Sequence, residues 1–294
     1  MIVILGGGDS LEREVSLKTA KTIESALKSL GVDYKIIDPA NSGWLEQINL
    51  IRPEIAIIAL HGTFGEDGRI QKILEEHGIK YTGSSSTTSE LCFNKEKTKK
   101  ELVKIGINSP ETITNPQEFP VIVKPGAQGS SFGITKVMSA EDLSSAVTKA
   151  KNASENGEII IEKFIEGREF TCAVTNLFGD VQALPIVEIV HNKTFFDFEA
   201  KYSTSNGAIE ICPAEMVDDL ERKIKDVSCK IFSHLGIGQY CRIDWIASEK
   251  ELYFLEVNTL PGMTETSLIN KEFKAAGISF ESFIKKLISS THKV

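Results

Sequence analysis

The sequence is poor in the features that would tie it to an oxidising compartment, a membrane or nucleic acid. It has five cysteines, Cys92, Cys172, Cys212, Cys229 and Cys241, an odd number with no CxxC spacing. Disulfide frameworks and zinc sites need paired thiols, so these five read as reduced and mostly buried. Long apolar runs are missing: no stretch approaches the ~18 residues of a membrane span. The start, "MIVILGGG", has no basic region and too short an apolar run for a signal peptide, and a cytoplasmic location is the expectation. Positive charge is also short, 33 Lys and Arg against 41 Asp and Glu, a net charge of −8. General nucleic-acid binding favours a basic surface, so neither a nucleic acid nor a membrane is an expected partner, while a local basic pocket stays open. Three motifs are absent as well. Gly6 and Gly8 meet Leu11 where GxGxxG needs its last glycine, no histidine pair forms HExxH, and no serine sits in GxSxG. A Rossmann site, zinc hydrolysis and serine-esterase chemistry therefore lack support.

What is present describes an ordinary globular chain of 294 residues, 41% hydrophobic and 25% charged, long enough for two or three domains. "IVILGG" reads as a buried parallel strand stopped by glycines. The helical spacing of Val15, Ala20, Ile23, Ala26, Leu27 and Leu30 follows, and Gly31 ends it. With "YKIIDP", "EIAIIAL" and the helix through "GRIQKILEEHG", residues 1–84 read as a small doubly wound α/β domain. Ligands in such folds sit at the C-terminal strand ends, where Gly6–Gly8 and "HGTFGEDG" fall. Residues 85–170 open with two helices that break near Asn94 and continue as a β-β-α-β block, an α+β unit. Residues 171–294 alternate as antiparallel strands do, with a helix from about Val217 to Leu235, a hairpin around "SEKE" and two closing helices.

Two stretches carry chemistry. "KPGAQGSSFG" has the composition of a phosphate loop, but its lysine precedes the glycines and no helix follows. Lys124 closes an apolar strand beside these glycines and is the better phosphate candidate; Lys95, near a helix start, and Lys163, in "EKFI", are weaker ones. The second stretch is the hairpin "RIDWIASEKELYFLEVN". Glu256 and Asn258 are two apart and share a strand face, and Asp244 lies on the partner strand. Carboxylates that interrupt a buried pattern need a partner. A divalent cation is one, and all-oxygen donors suit magnesium or manganese. A salt bridge to Arg242 or to a lysine is the other. Glu12 and Glu14 at a helix start also have a plain reading, interaction with the helix dipole.

These pieces, in this order, resemble the D-alanine–D-alanine ligases of the ATP-grasp superfamily. The matching motifs are "LGGGDSLEREVSL", "HGTFGEDGRIQ", "YTGSS", "NKEKTK", "VIVKPGAQGSSFG", "IIEKFIEGREFT", "FFDFEAKYS", "RIDW" and "FLEVNTLPGMTETSL", spanning residues 5 to 268. The resemblance implies an ATP-grasp fold, α/β and α+β, with an N-terminal doubly wound domain that binds substrate. A central lid subdomain and a C-terminal antiparallel-sheet domain with the metal and substrate sites would follow. It implies ATP-dependent ligation of two D-alanines through an acyl phosphate, for peptidoglycan precursors. Asp244, Glu256 and Asn258 would hold two Mg2+ or Mn2+ ions. Lys95, Lys124 and Lys163 would contact phosphates or adenine-side groups, Lys201 the transferred phosphate, and Glu162, Phe164, Ile165 and Glu169 would frame the adenine and ribose.

The same resemblance assigns the substrate side. Glu12 would take the ammonium of the first D-alanine, and Ser130 would join that acid and Tyr202. Val15, Ser16 and His61 would line the substrate site. Arg242 and the Gly262 amide would form an oxyanion site, and Ser267 and Leu268 would hold the second carboxylate. A homodimer through the N-terminal domain is implied too. The chain departs from the family pattern at Gly126-Ala127-Gln128 and at Phe132, which touches lid motion rather than the chemistry. Two other readings remain: ligation with D-serine or D-lactate as second substrate, against which Tyr202 speaks because relatives that accept D-lactate often lack it, and a nucleotide-binding regulator without catalysis, against which the full set of acids and lysines speaks. "KPGAQGSSFG" then reads as a hairpin lid hinged at Gly126, Gly129 and Gly133.

Overall fold

The computed structural model of the chain describes residues 1–129, 132–191 and 208–290. Strand β1 (Ile2–Leu5) is buried at every position, as a strand covered on both faces must be. It pairs in parallel with β2 (Tyr34–Ile37) and β3 (Ile55–Ile58), in the order β2-β1-β3. Helix α1 (Arg13–Ser29) packs Ala20, Ile23, Ala26 and Leu27 inward, one stripe at helical spacing. Helices α2 (Trp44–Ile51) and α3 (Arg69–Glu76) complete this unit. Because β1 and β3 are neighbours and parallel, the turns after them converge. Gly6–Gly8 and His61–Gly62 meet there, as the doubly wound reading requires.

Helices α4 (Ser86–Phe93) and α5 (Lys95–Val103) part at Asn94, as expected. The Asn94 side chain accepts from the Lys97 amide at 2.9 Å and Ser85 caps α4 from the Thr88 amide at 3.2 Å, each satisfying an orphan first-turn donor. The central unit is an antiparallel sheet, β5-β4-β6, of β4 (Val121–Pro125), β5 (Thr135–Val137) and β6 (Ile159–Lys163), covered by α6 (Ala140–Ala153).

The large sheet is antiparallel throughout. It contains β7 (Arg168–Thr175), β9 (Val187–Val190), β10 (Ile209–Ile211), β11 (Tyr240–Ala247) and β12 (Leu252–Asn258) in the order β10-β9-β7-β11-β12, with β8 (Gln182–Ala183) beside β7. Helix α7 (Asp218–His234) buries Ile224, Ile231 and Phe232 against it, in one core with Phe170, Trp245 and Phe254. Cys92 of α4 and Leu102 of α5 belong to that core, and β7 runs across residue 170. Helices α8 (Leu268–Ala275) and α9 (Phe280–Ser290) turn back: their Ile269, Phe273, Phe283 and Leu287 share a core with β1 and α1. The first and last parts of the chain therefore stabilise each other, at ~1.5–3 kcal/mol per large apolar side chain buried.

A bidentate pair ties the N-terminal unit to the central one: Arg69 donates to Glu155 at 3.2 and 2.9 Å. All five cysteines are free. Burial pushes the Cys92 thiol up to about 12 and Cys212 to about 11, and it raises the other three as well, so none is poised as a thiolate. Among the described residues no helix is long and apolar enough to cross a membrane.

Candidate active site

Register on the large sheet builds the acidic face. Asp244 stands opposite Glu256, and Arg242 opposite Asn258. On the other side of β11, Thr171 stands opposite Asp244 and Ala173 opposite Arg242. Alternation points all six the same way, and Ala173 gives the arginine room. Asp244 is fully engaged: Thr171 Oγ1 donates to Oδ1 at 2.5 Å, Arg242 Nε to Oδ1 at 3.1 Å and Nη2 to Oδ2 at 3.2 Å, and Asn258 Nδ2 to Oδ2 at 3.2 Å. Burial works against the Arg242 charge, but Asp244 outweighs it by charge and hydrogen bonding and holds the guanidinium above its ordinary value. Glu256 Oε2 lies 3.0 Å from Lys95 Nζ.

Each acid thus has a cation of the protein beside it, the pairing that charge arithmetic demands of a buried carboxylate, Asp244, and a half-buried one, Glu256. The donors also fit a divalent cation: two facing carboxylates and an amide, all oxygen ligands. Among the described residues no group of three His, Cys, Asp or Glu gathers as a metal site. A cation here would depend on Asn258 and on oxygens of a ligand, as magnesium commonly does.

The lysines form the opposite wall. Lys95 opens α5 and is 7% exposed. Its amide donates to the Gly126 carbonyl at 3.1 Å and its Nζ to the Gln128 carbonyl at 2.6 Å, so the base of the glycine hairpin is stitched to the helix start. Lys124 Nζ meets Glu162 Oε2 at 2.7 Å. Lys99 meets the other oxygen of Glu162 and donates to the Pro110 carbonyl at 3.0 Å. Burial alone would raise the Glu162 carboxyl, but Lys124 and Lys99 pull it below the usual carboxylate range. Burial lowers the Lys99 ammonium, with Glu162 opposing. Lys163, one residue on, falls on the other strand face and is exposed. Phe164 lies under Lys136, whose Nζ is 3.6 Å from the ring centroid. Ile165 is half-buried beside it. Glu169 accepts from His191 Nε2 at 2.8 Å.

The third wall comes from loops. Glu12 stands at the N-cap position of α1 without a side-chain capping bond and is 6% exposed. A Cβ at Gly129 would lie 2.6 Å from Glu12 Oε1, and one at Gly62 3.1 Å from it, so two glycines cradle this carboxylate. Of the three glycines read as hinges, Gly133 alone has a left-handed φ, +75°, while Gly129 serves close approach. Ser16 is buried and saturated by backbone, accepting from the Gly7 amide and donating to the Ala59 carbonyl, both at 2.8 Å. His61 is buried between Thr19 Oγ1 at 2.9 Å and the Leu260 carbonyl at 3.1 Å. A Cβ at Gly262 would lie 3.3 Å from Ser267 Oγ and 3.8 Å from Val15. Ser267 is the N-cap of α8 and accepts from the Thr264 amide at 2.9 Å; Leu268 behind it is buried.

Glu12, Val15, His61, Gly262 and Ser267 thus converge, and Lys95, Lys124, Glu162, Asp244, Glu256 and Asn258 converge on the far side of the hairpin. Ser130, Lys201 and Tyr202 lie outside the described residues. Sequence reasoning missed Lys99, Thr171 and His191. Lys99 follows Lys95 by four residues, the spacing of one helix face, and Thr171 is the polar break in "FTCAV".

Comparison with known proteins gives one consistent result. A family described as "D-ala D-ala ligase C-terminus" matches residues 91–289. The D-alanine–D-alanine ligase of Thermotoga petrophila is 35% identical over 98% of this chain and 96% of its own length. That of Aquifex aeolicus is 37% identical over 98% and 99%. Among solved structures, the ATP complex of the Bacillus anthracis D-alanine–D-alanine ligase superposes with a TM-score of 0.83 at 30% identity, over 99% of this chain and 96% of that one. The VanG D-Ala:D-Ser ligase of Enterococcus faecalis gives 0.83 at 28% identity, over 99% and 98%.

Proposed function

We infer, for a chain that belongs to the D-alanine–D-alanine ligase family, that it joins two molecules of D-alanine into D-alanyl-D-alanine for peptidoglycan synthesis, converting ATP to ADP and phosphate. The observation that carries this reading is the pairing of an oxygen-donor face, Asp244, Glu256 and Asn258, with the buried cations Lys95 and Lys124 at the base of the glycine hairpin. Phosphoryl transfer asks for charge around the moving group and no protein nucleophile, and the two walls supply that.

The reaction runs in two steps. A carboxylate oxygen of the first D-alanine attacks the γ-phosphorus and ADP leaves, giving an acyl phosphate. The amine of the second D-alanine attacks the acyl carbon, loses a proton, and the tetrahedral intermediate expels phosphate. Glu12 holds the first ammonium. Lys95 and Lys124 bind phosphate oxygens, and Lys201 joins the one transferred. Arg242 and the Gly262 amide bind the developing oxyanion, where preorganised donors count most. Ser267 and the first turn of α8 hold the second carboxylate, an anion at a helix N-terminus. Val15 and His61 shape that pocket, and Ser130 joins Glu12 and Tyr202. Glu162, Phe164, Ile165, Glu169 and the backbone at Lys163 frame the nucleoside. Magnesium or manganese, held by Asp244, Glu256 and Asn258, supplies charge neutralisation of the phosphates.

We expect the enzyme to be cytoplasmic and a homodimer through its N-terminal unit. The test is product identification after incubation with ATP, a divalent cation and D-alanine, with D-serine and D-lactate as competitors. D-alanyl-D-alanine with equimolar ADP and phosphate is the expected outcome. Phosphate release that does not depend on D-alanine, or a mixed product dominating at equal concentrations, would sink this reading.

A further inference from the structure

We propose that Lys99 is a positioning residue for the nucleotide side of the site: it shares the Glu162 carboxylate with Lys124 and thereby keeps Lys124 both fixed and uncompensated. This rests on the reading of Lys124 as a phosphate ligand. Three facts carry it. Lys99, Lys124 and Glu162 are 6%, 5% and 2% exposed, so their charges are balanced by one another rather than by water. The two ammoniums sit on different oxygens of the one carboxylate, Lys99 on Oε1 and Lys124 on Oε2. Lys99 is in addition anchored to the Pro110 carbonyl at 3.0 Å, so it is the pinned member of the three.

Charge arithmetic gives this arrangement a purpose. Lys124 and Glu162 alone would sum to zero, and a neutral pair has little to offer an incoming phosphate. With Lys99 included the sum is +1 among buried side chains. Lys99 is tied down on two sides, whereas Lys124 has three donors and meets only Glu162 among the described residues. The surplus charge is therefore presented through Lys124, at the base of the hairpin. Lys95 lies one helical turn before Lys99, and its partners are elsewhere, Gln128 and Glu256, so it cannot substitute. The depressed carboxyl of Glu162 agrees with a carboxylate gripped from both ends.

Steady-state kinetics of Lys99→Met and Lys99→Arg test the assignment, with KM for ATP and for D-alanine measured separately. Lys99→Met is expected to raise KM for ATP about tenfold and to leave KM for D-alanine within about twofold, with Lys99→Arg recovering most of the loss. A purely structural role would lower the active fraction and not this ratio. Because Lys99 acts through Glu162, Lys99→Met placed on Glu162→Gln should add nothing, a non-additivity that a cycle measures. That double variant leaves no half-paired buried carboxylate and carries the comparison with Glu162→Gln should Lys99→Met alone not fold. Lys124→Met is the control. If it leaves KM for ATP unchanged, the phosphate role of Lys124 is wrong. If it raises KM while Lys99→Met does not, or if Lys99→Met adds fully to Glu162→Gln, the positioning role is overturned.

Discussion

The two walls of the cleft on either side of the glycine hairpin are built on opposite plans. The nucleotide wall is charge held by charge: Lys95 against Glu256, Lys99 and Lys124 against Glu162, Arg242 against Asp244, on strands and a helix start with little freedom. The substrate wall is backbone held by small residues: Gly62 and Gly129 around Glu12, Gly262 against Ser267, His61 strung between Thr19 and a carbonyl. Buried ion pairs are costly to break and preorganise a site for a highly charged ligand. Glycine cradles fit a small zwitterion and fail by steric intrusion. The two walls should therefore respond differently to the same kind of change.

The sharpest way to break the comparison is at Asp244. Asp244→Asn removes a proposed metal ligand and strands the Arg242 charge in the interior. We expect a loss of roughly 10³ in kcat/KM together with about 3 kcal/mol of stability. Glu256→Gln should cost comparable activity with a smaller stability loss, since its partner Lys95 keeps the Gln128 carbonyl. Turnover combined with urea midpoints separates them, and equal stability losses would contradict the difference in partners.

On the substrate wall, Gly129→Ala puts a methyl 2.6 Å from Glu12 Oε1, and the carboxylate must move. An increase of about tenfold in KM for D-alanine, with KM for ATP nearly unchanged, is expected. The reverse split would mean that the hairpin tip belongs to the nucleotide side. Ser16→Ala probes a smaller effect. Its hydroxyl is used up by the Gly7 amide and the Ala59 carbonyl, so we expect a loss of about 1–3 kcal/mol of stability and normal KM values in the folded fraction. A raised KM for D-alanine at unchanged stability would return Ser16 to the substrate.

The same contrast explains what the sequence discloses. Elements with strong local signals were legible: the break near Asn94, the hairpin around "SEKE", the doubly wound start from its alternation of strand and helix. The facing of Asp244 and Glu256 was half legible, because period two puts Glu256 and Asn258 on one face, but register across strands is a tertiary quantity and so Thr171 went unseen. Lys99 hid in "NKEKTKKEL", where eight of nine letters are polar and only packing against Pro110 and Glu162 tells the buried lysine from its exposed neighbours. Ser16 and His61 show the converse: motif position suggested substrate contacts, while the fold engages their polar atoms with the protein.

The smallest expected effect lies behind the nucleotide wall. Glu272 on α8 is completely buried, and its Oε1 accepts from the Ala173 amide at 2.6 Å while Oε2 has no partner among the described residues. Burial raises its carboxyl well above the usual range; the Ala173 amide and Arg242 pull it down, and Asp244 pushes it up further. An acid whose folded pKa exceeds its unfolded value of about 4.3 keeps its proton in the native state after the unfolded chain has lost it. Its contribution to stability is full below that unfolded value and is lost as pH rises through the window up to the folded pKa. Glu272→Gln keeps an acceptor for the Ala173 amide and cannot ionise. The urea midpoint of the variant, relative to the unmodified protein, should therefore climb as pH rises over the range above about 4.3. Parallel curves over that range would show that Glu272 titrates alike in both states, and that the charge balance around Arg242 includes this carboxylate after all.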